Sequence, residues 1–189
     1  HVDDILVVGP NPVVRMVQAQ IQLLWSASAP DYVSDGEIRY CGIWIKRTEQ
    51  GLLIHQKKYI DEVLTRFNMS HCNPAPTPMC DDGVLPEPER TGEQVREAQA
   101  IAGSLLWLST KTRVDISYAV NKMSSFAVLC PARVCQWGKR VLRYLKATRD
   151  EGLLYLSSRH FALQNTFTLD VEKQSNVVLG YSDASFAPD

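Results

Sequence analysis

The sequence predicts an α+β fold with a helical middle and a β-rich end, and three observations carry that prediction. Apolar residues recur at three- and four-residue intervals in several stretches, the pattern of amphipathic helices. The stretch "EIRYCGIWIKRTEQGLLIHQ" alternates instead, as half-buried strands do, on both sides of Thr48-Glu49-Gln50-Gly51. At 189 residues and 45% hydrophobic content, the chain has material for one sizeable domain or two small ones with a core.

The elements follow in order. "DILVVG" reads as a short strand running into the turn Gly9-Pro10-Asn11-Pro12. Val13, Met16, Val17, Ile21, Leu24 and Trp25 share one helical face, with Asn11 as the expected N-cap and Pro12 in the first turn. After the hairpin over 37–56, "KKYIDEVLTRFNM" returns to helical spacing through Tyr59, Ile60, Val63, Leu64 and Phe67. Residues 72–92 concentrate five of the ten prolines with acids and glycines, the composition of an exposed linker. Three helices are expected near 93–110, 115–129 and 131–148. "GLLYL" and "FTLDV…NVVLGYSD" then read as strands. The corresponding divisions are 1–70, a linker over 71–92, a helical unit over 93–150 and a β segment over 151–189.

Composition narrows the function. Net charge is −1, so any attraction to a polyanion must come from a local cluster. There is no apolar run of membrane-spanning length and no signal-peptide pattern at the start, so the chain is expected to be soluble, intracellular and without a membrane partner. Cys41, Cys72, Cys80, Cys130 and Cys135 are an odd set without metal-ligand spacing, and reduced thiols are expected.

The most legible chemical signal is "PARVCQWGKRVLRYLKATRD". Val134, Trp137, Val141 and Leu145 fall on one face of the helical wheel, and Lys139, Arg140, Arg143 and Lys146 on the other. Six basic residues and no acid lie between Pro131 and Arg149. Two readings stand: phosphate contact along the face, or an ordinary solvated face whose cations complement the helix C-terminus. Asp3 and Asp4 also admit two readings. On a regular strand they point to opposite sides, so they form a turn or strand start, unless a tight turn brings both toward one Mg²⁺. Asp183, at the end of an apolar stretch, is a further candidate carboxylate. Trp25, Trp44, Trp107 and Trp137 lie in apolar patterns and are expected in the core. His1, His55, His71 and His160 show no spacing suited to activating a nucleophile.

In order along the chain, "HVDDILVVG", "RYCGIWIKRTEQGLLIHQKKYI", "TPM", "GSLLWLSTKTRVDISYAV", "WGKRVLRYLKATRDEGLLY" and "GYSDASFAPD" resemble the pol polyprotein of copia-type retrotransposons. Departures are His1 for the family's usual Tyr, Val114 for a usual Pro, and "SDASF" for "SDADW". The resemblance implies an incomplete reverse-transcriptase palm with a primer-grip-like hairpin, a helical thumb and connection, and the first strands of a ribonuclease H-like domain. It makes Asp3 and Asp4 metal ligands of an RNA-directed DNA polymerase, in a tight palm hairpin, and Asp183 the first carboxylate of ribonuclease H. Tyr40 and Gly42 would hold the primer terminus. Lys139, Arg140, Arg143 and Lys146 would lie near the duplex backbone. The implied cofactor is Mg²⁺; the implied partners are an RNA template, a DNA primer or duplex and deoxynucleoside triphosphates; the implied location is a cytoplasmic particle or the nucleus. Fingers, nucleotide-binding residues and a third palm Asp precede the signature in this family, so the isolated chain is expected not to polymerise. The alternative is a non-catalytic nucleic-acid-binding remnant that uses the basic helix over 131–149.

Overall fold

The computed structural model of the chain describes residues 4–79 and 89–157. Its elements are α1 (Asn11–Leu24), β1 (Ile38–Tyr40), β2 (Ile43–Arg47), β3 (Gly51–His55), α2 (Lys57–Arg66), α3 (Gly92–Lys111), a 3-10 turn (Val114–Ile116), α4 (Ser117–Phe126), α5 (Pro131–Ala147) and β4 (Leu153–Leu156). The described residues are thus mixed α and β, with one four-stranded antiparallel sheet in the order β1-β2-β3-β4.

The helix ends are written locally. Thr91 Oγ1 accepts the Gln94 N–H at 3.2 Å and Gln94 Oε1 accepts the Thr91 N–H at 2.8 Å, a reciprocal capping box that starts α3. At the end of α2, Asn68 adopts the left-handed conformation with φ +56°, the Met69 N–H bonds the Leu64 carbonyl and the Asn68 N–H bonds that of Thr65. These are the two bonds of a Schellman stop, closed by Leu64 and Met69 on the core side. In α1 the expected cap is displaced by one residue: Pro10 is the N-cap and Asn11 already lies inside the helix, without a side-chain capping bond.

The core is helical. Ile60, Val63 and Leu64 of α2 meet Ile101, Leu105 and Leu108 of α3, Val120 and Met123 of α4, and Val134, Trp137, Val141 and Leu145 of α5. Helix α3 packs against both α4 and α5. Each such side chain, withdrawn from water, stabilises the fold by roughly 1.5–3 kcal/mol. Gly138 sets the closeness of α3 to α5, because a Cβ there would lie 2.8 Å from Ile101 Cγ1 and 3.1 Å from Met123 Cε.

The sheet is built from two hairpins and one distant strand. Cys41 and Gly42, with φ of +47° and +77°, make the two-residue turn between β1 and β2, as a primed turn requires at both central positions. Thr48 closes the second turn: its N–H bonds the Gly51 carbonyl at 2.8 Å and its Oγ1 accepts the Gly51 N–H at 3.1 Å. Strand β4 then pairs with β3, Gly51 against Leu156 and Ile54 against Leu153. The start of the expected terminal β segment therefore completes the hairpin's sheet. Two glycines permit it: a Cβ on Gly51 would overlap the Tyr155 carbonyl and one on Gly152 the Ile54 carbonyl.

Three sequence expectations are corrected. Residues 4–8 form no strand, and Ile5, Leu6 and Val8 are exposed; no strand among the described residues pairs with them, so nothing satisfies a ladder there. Trp137 is buried as expected, but Trp25 is 62% and Trp107 38% exposed, because helical periodicity does not say which faces find a neighbour. The first half of the proline-rich stretch is also docked, with Ala75 buried and its N–H on the Arg143 carbonyl of α5 at 3.2 Å.

Candidate functional site

Asp3 and Asp183 lie outside the described residues, whereas Asp4 is described and exposed. The Tyr40 phenol is held above its ordinary range, first by the charge of Cys41 and a hydrogen bond with it, then by burial and by the Asp4 carboxylate. Asp4 is thus within electrostatic reach of the turn that contains Gly42. A Cβ on Gly42 would stand 3.7 Å from Trp107 Cζ2, so this turn also rests beside the exposed indole of α3. The turn therefore brings Tyr40 and Gly42 together with Trp107, which lies far from both in the sequence.

The basic face of α5 has a different occupant from the one its charge suggests. Arg143 Nε donates to the Asn73 carbonyl at 2.7 Å, Lys146 Nζ to that of Cys72 at 2.7 Å, and Arg140 Nη2 to Thr77 Oγ1 at 2.8 Å. Pro74, Pro76 and Pro78 have no N–H, so this extended strap offers mainly carbonyls, and long cationic side chains are the matching donors. Lys139 stands apart from the strap. It lines a cleft of about 390 Å³ with Arg66, Glu97, Ile101 and Cys135. Three of the four cations expected at a duplex thus hold the chain's own strap, Arg143 and Lys146 at backbone carbonyls and Arg140 at a threonine hydroxyl.

Two polar centres went unread in the sequence. Arg113, 1% exposed, donates Nε and Nη2 to the two Asp115 oxygens at 3.0 and 2.7 Å; it also bonds the Thr148 carbonyl at 2.9 Å and Thr148 Oγ1 at 2.6 Å. Burial alone would raise the Asp115 carboxyl, but the Arg113 hydrogen bonds and charge, helped by the Tyr144 hydroxyl, hold it below its usual range. Burial and the Asp115 carboxylate push the Tyr144 phenol up. The second centre is His55, whose Nδ1 accepts the Lys57 N–H at 3.3 Å. That leaves the proton on Nε2, 3.3 Å from Glu37 Oε1. Burial lowers the His55 pKa despite Glu37. The "TRVDI" block was the available signal for the first centre; an isolated His at a strand end offered none for the second.

Oxygen donors such as the Asp4 carboxylate are the right kind for magnesium. Among the described residues, however, no group of three or more His, Cys, Asp or Glu side chains could hold a metal ion, so they do not form a complete site. No helix among them is long and apolar enough to cross a membrane.

Similarity to known proteins places these features in a family. Over its full length the chain is 35% identical to the retrovirus-related Pol polyprotein from transposon RE1 of Arabidopsis thaliana, and 29% identical to that from transposon TNT 1-94 of Nicotiana tabacum. The chain belongs to the copia-type retrotransposon Pol polyproteins. It spans 12% of the RE1 polyprotein and 14% of the TNT 1-94 polyprotein. An uncharacterized mitochondrial protein of Arabidopsis thaliana is 32% identical over 81% of this Pol segment and is covered to 62% of its own length. No protein-family profile matches this Pol segment. Among solved structures there is likewise no match.

Proposed function

We propose that this Pol segment is the end of the palm of an RNA-directed DNA polymerase, followed by its helical thumb and connection and by the opening of a ribonuclease H-like domain that begins to supply Asp183. The observation that carries the reading is the full-length similarity to Pol polyproteins, 35% identity to that of transposon RE1, together with the tight β1–β2 turn at Cys41 and Gly42. Carboxylates for the metals and a turn for the primer terminus must be neighbours in such an enzyme. In this reading Asp3 and Asp4 contribute carboxylates to a Mg²⁺ site completed elsewhere in the polyprotein. The turn at Tyr40 and Gly42 holds the primer end by close backbone approach, and the partners are an RNA template, a DNA primer and deoxynucleoside triphosphates. The basic-helix alternative is not adopted, because Arg140, Arg143 and Lys146 are engaged by the strap over Cys72 to Thr77.

Primer extension on an RNA template with Mg²⁺ tests this directly. The chain alone is expected to incorporate nothing. A chimaera in which this chain replaces the matching segment of the RE1 polyprotein is expected to extend primers, and Asp4→Asn to reduce extension at least about 100-fold, the scale of losing a group that stabilises transition-state charge. Extension that survives Asp4→Asn, or incorporation by the chain alone that Asp3→Asn abolishes, overturns the reading.

A further inference from the structure

A cleft of about 390 Å³ opens where the end of α2 meets α3 and α5, and it shares no residue with the β1–β2 turn or the strap. Phe67, Met69 and Ile101 form its apolar side, Ile101 buried and the other two packed against the core. Arg66, Lys139 and Glu97 bring the charge. Arg66 is anchored: its Nη1 donates at 3.2 Å to Ser104 Oγ, whose own proton goes to the Ala100 carbonyl at 2.9 Å. Ser104 is 8% exposed, so the guanidinium rests on a buried hydroxyl, and its Nε and Nη2 hold no partner among the described residues. Those are the two nitrogens by which Arg113 grips the Asp115 carboxylate elsewhere in the chain. Lys139 and Glu97 likewise form no ion pair among the described residues. A guanidinium held at one nitrogen still offers two parallel N–H groups, which match a carboxylate or a phosphate. The charge count chooses between them. Two cations against one carboxylate leave a single positive charge, which one further carboxylate balances, whereas a polyphosphate or a nucleic-acid backbone sets several negative charges against Glu97. The volume falls in the range of small-molecule sites, about 300–1,000 Å³.

We propose that this cleft binds a small apolar monocarboxylic acid. The ligand carboxylate takes the two N–H groups of the Arg66 Nε and Nη2 edge, with Lys139 as the second cation. Its hydrocarbon or aryl part lies on Phe67, Met69 and Ile101, and Glu97 turns away ligands of higher negative charge. Ser104 is a positioning residue that acts through Arg66. The site goes beyond the polymerase reading and does not rest on it, so primer extension by the RE1 chimaera and binding in the cleft succeed or fail separately.

The experiment titrates phenylacetate into the isotope-labelled full chain at fixed ionic strength and follows the amide chemical shifts. Shifts are expected at residues 66–69 and around Lys139, with a dissociation constant of millimolar order. Phenylacetamide, uncharged and of the same shape, should bind about 5-fold more weakly, the scale of one unit charge at about 4 Å in water. Arg66→Gln and Lys139→Gln should each weaken phenylacetate about 5-fold, and Glu97→Gln should tighten it about 3-fold. Ser104→Ala keeps the Arg66 charge but removes its anchor. It should weaken phenylacetate about 3-fold and leave phenylacetamide unchanged, a selectivity that a merely structural defect does not produce. Circular dichroism establishes that each variant is folded, and Lys139→Gln with Glu97→Gln, both at exposed side chains, decides the matter if Ser104→Ala is not. Equal affinity for the acid and the amide, indifference to Arg66→Gln and Lys139→Gln, or shifts centred elsewhere overturn the site. Pyrophosphate that binds at least about 10-fold more tightly than phenylacetate overturns the monocarboxylate class, and a blocked leucine-glutamate-leucine peptide that does so makes the cleft a peptide dock and overturns the small acid.

Discussion

Replacing Arg113 by Met removes the guanidinium from a site where it is 1% exposed and leaves three acceptors without their donor. The Asp115 carboxylate loses both bonds, and Thr148 loses one on its carbonyl and one on its hydroxyl. Breaking a buried pair from one side costs about 3–5 kcal/mol, because the charge left behind is poorly solvated. The Asp115 side chain is 35% exposed, so water can take over part of its solvation and the low end, about 3 kcal/mol, applies. At roughly 2–4 °C per kcal/mol for a chain of this size, melting should fall by about 6–12 °C. Urea unfolding of Arg113→Met, Asp115→Asn and the double variant measures the coupling, expected to exceed about 1.5 kcal/mol since the double variant leaves no orphaned carboxylate. The acid limb supplies a second readout. Asp115 lies below its ordinary value in the folded chain, so its contribution is present above about pH 3.9 and is lost as pH falls through the folded value. That loss should shrink in Arg113→Met. A cost below about 1 kcal/mol, or additive single variants, would refute the argument that this pair ties the end of α5 to the end of α3.

Gly138→Ala places a methyl group into Ile101 and against Met123 Cε, and is expected to cost about 1–3 kcal/mol in chemical unfolding, with Ile101→Val restoring part of it. For His55 the sign runs toward acid. Its folded pKa is lowered, so stability is fully present above the unfolded value near pH 6.5 and declines as pH falls through the folded one. Protonation also removes the acceptor for the Lys57 N–H, so His55→Asn should flatten the stability profile below about pH 6.5, and an unchanged profile would refute this role.

Much of the helical architecture was legible locally. Apolar spacing alone placed a helix near 93–110, and the structure adds the Thr91–Gln94 capping box that starts α3 at Gly92. The faces of α5 were equally legible, since Val134, Trp137, Val141 and Leu145 recur with the helical period and are all buried. The candidate site was legible in part: Tyr40 and Gly42 could be assigned to a turn, but nothing local indicated that Trp107 lies beside it. The same limit explains Trp25 and Trp107, whose apolar neighbours define a face without defining what covers it.

By itself, then, the sequence determined which stretches form helices and hairpins, because periodicity and turn chemistry act over a few residues. It also determined the family, through blocks whose order survives at 35% identity. Only the tertiary structure decided that the arginines of α5 clasp a strap seventy residues away, and that β4 returns to β3 across the helical unit. Those outcomes depend on which surfaces meet once the core has formed. A basic stripe reads the same in sequence whether its partner is a phosphate or the carbonyl of Asn73.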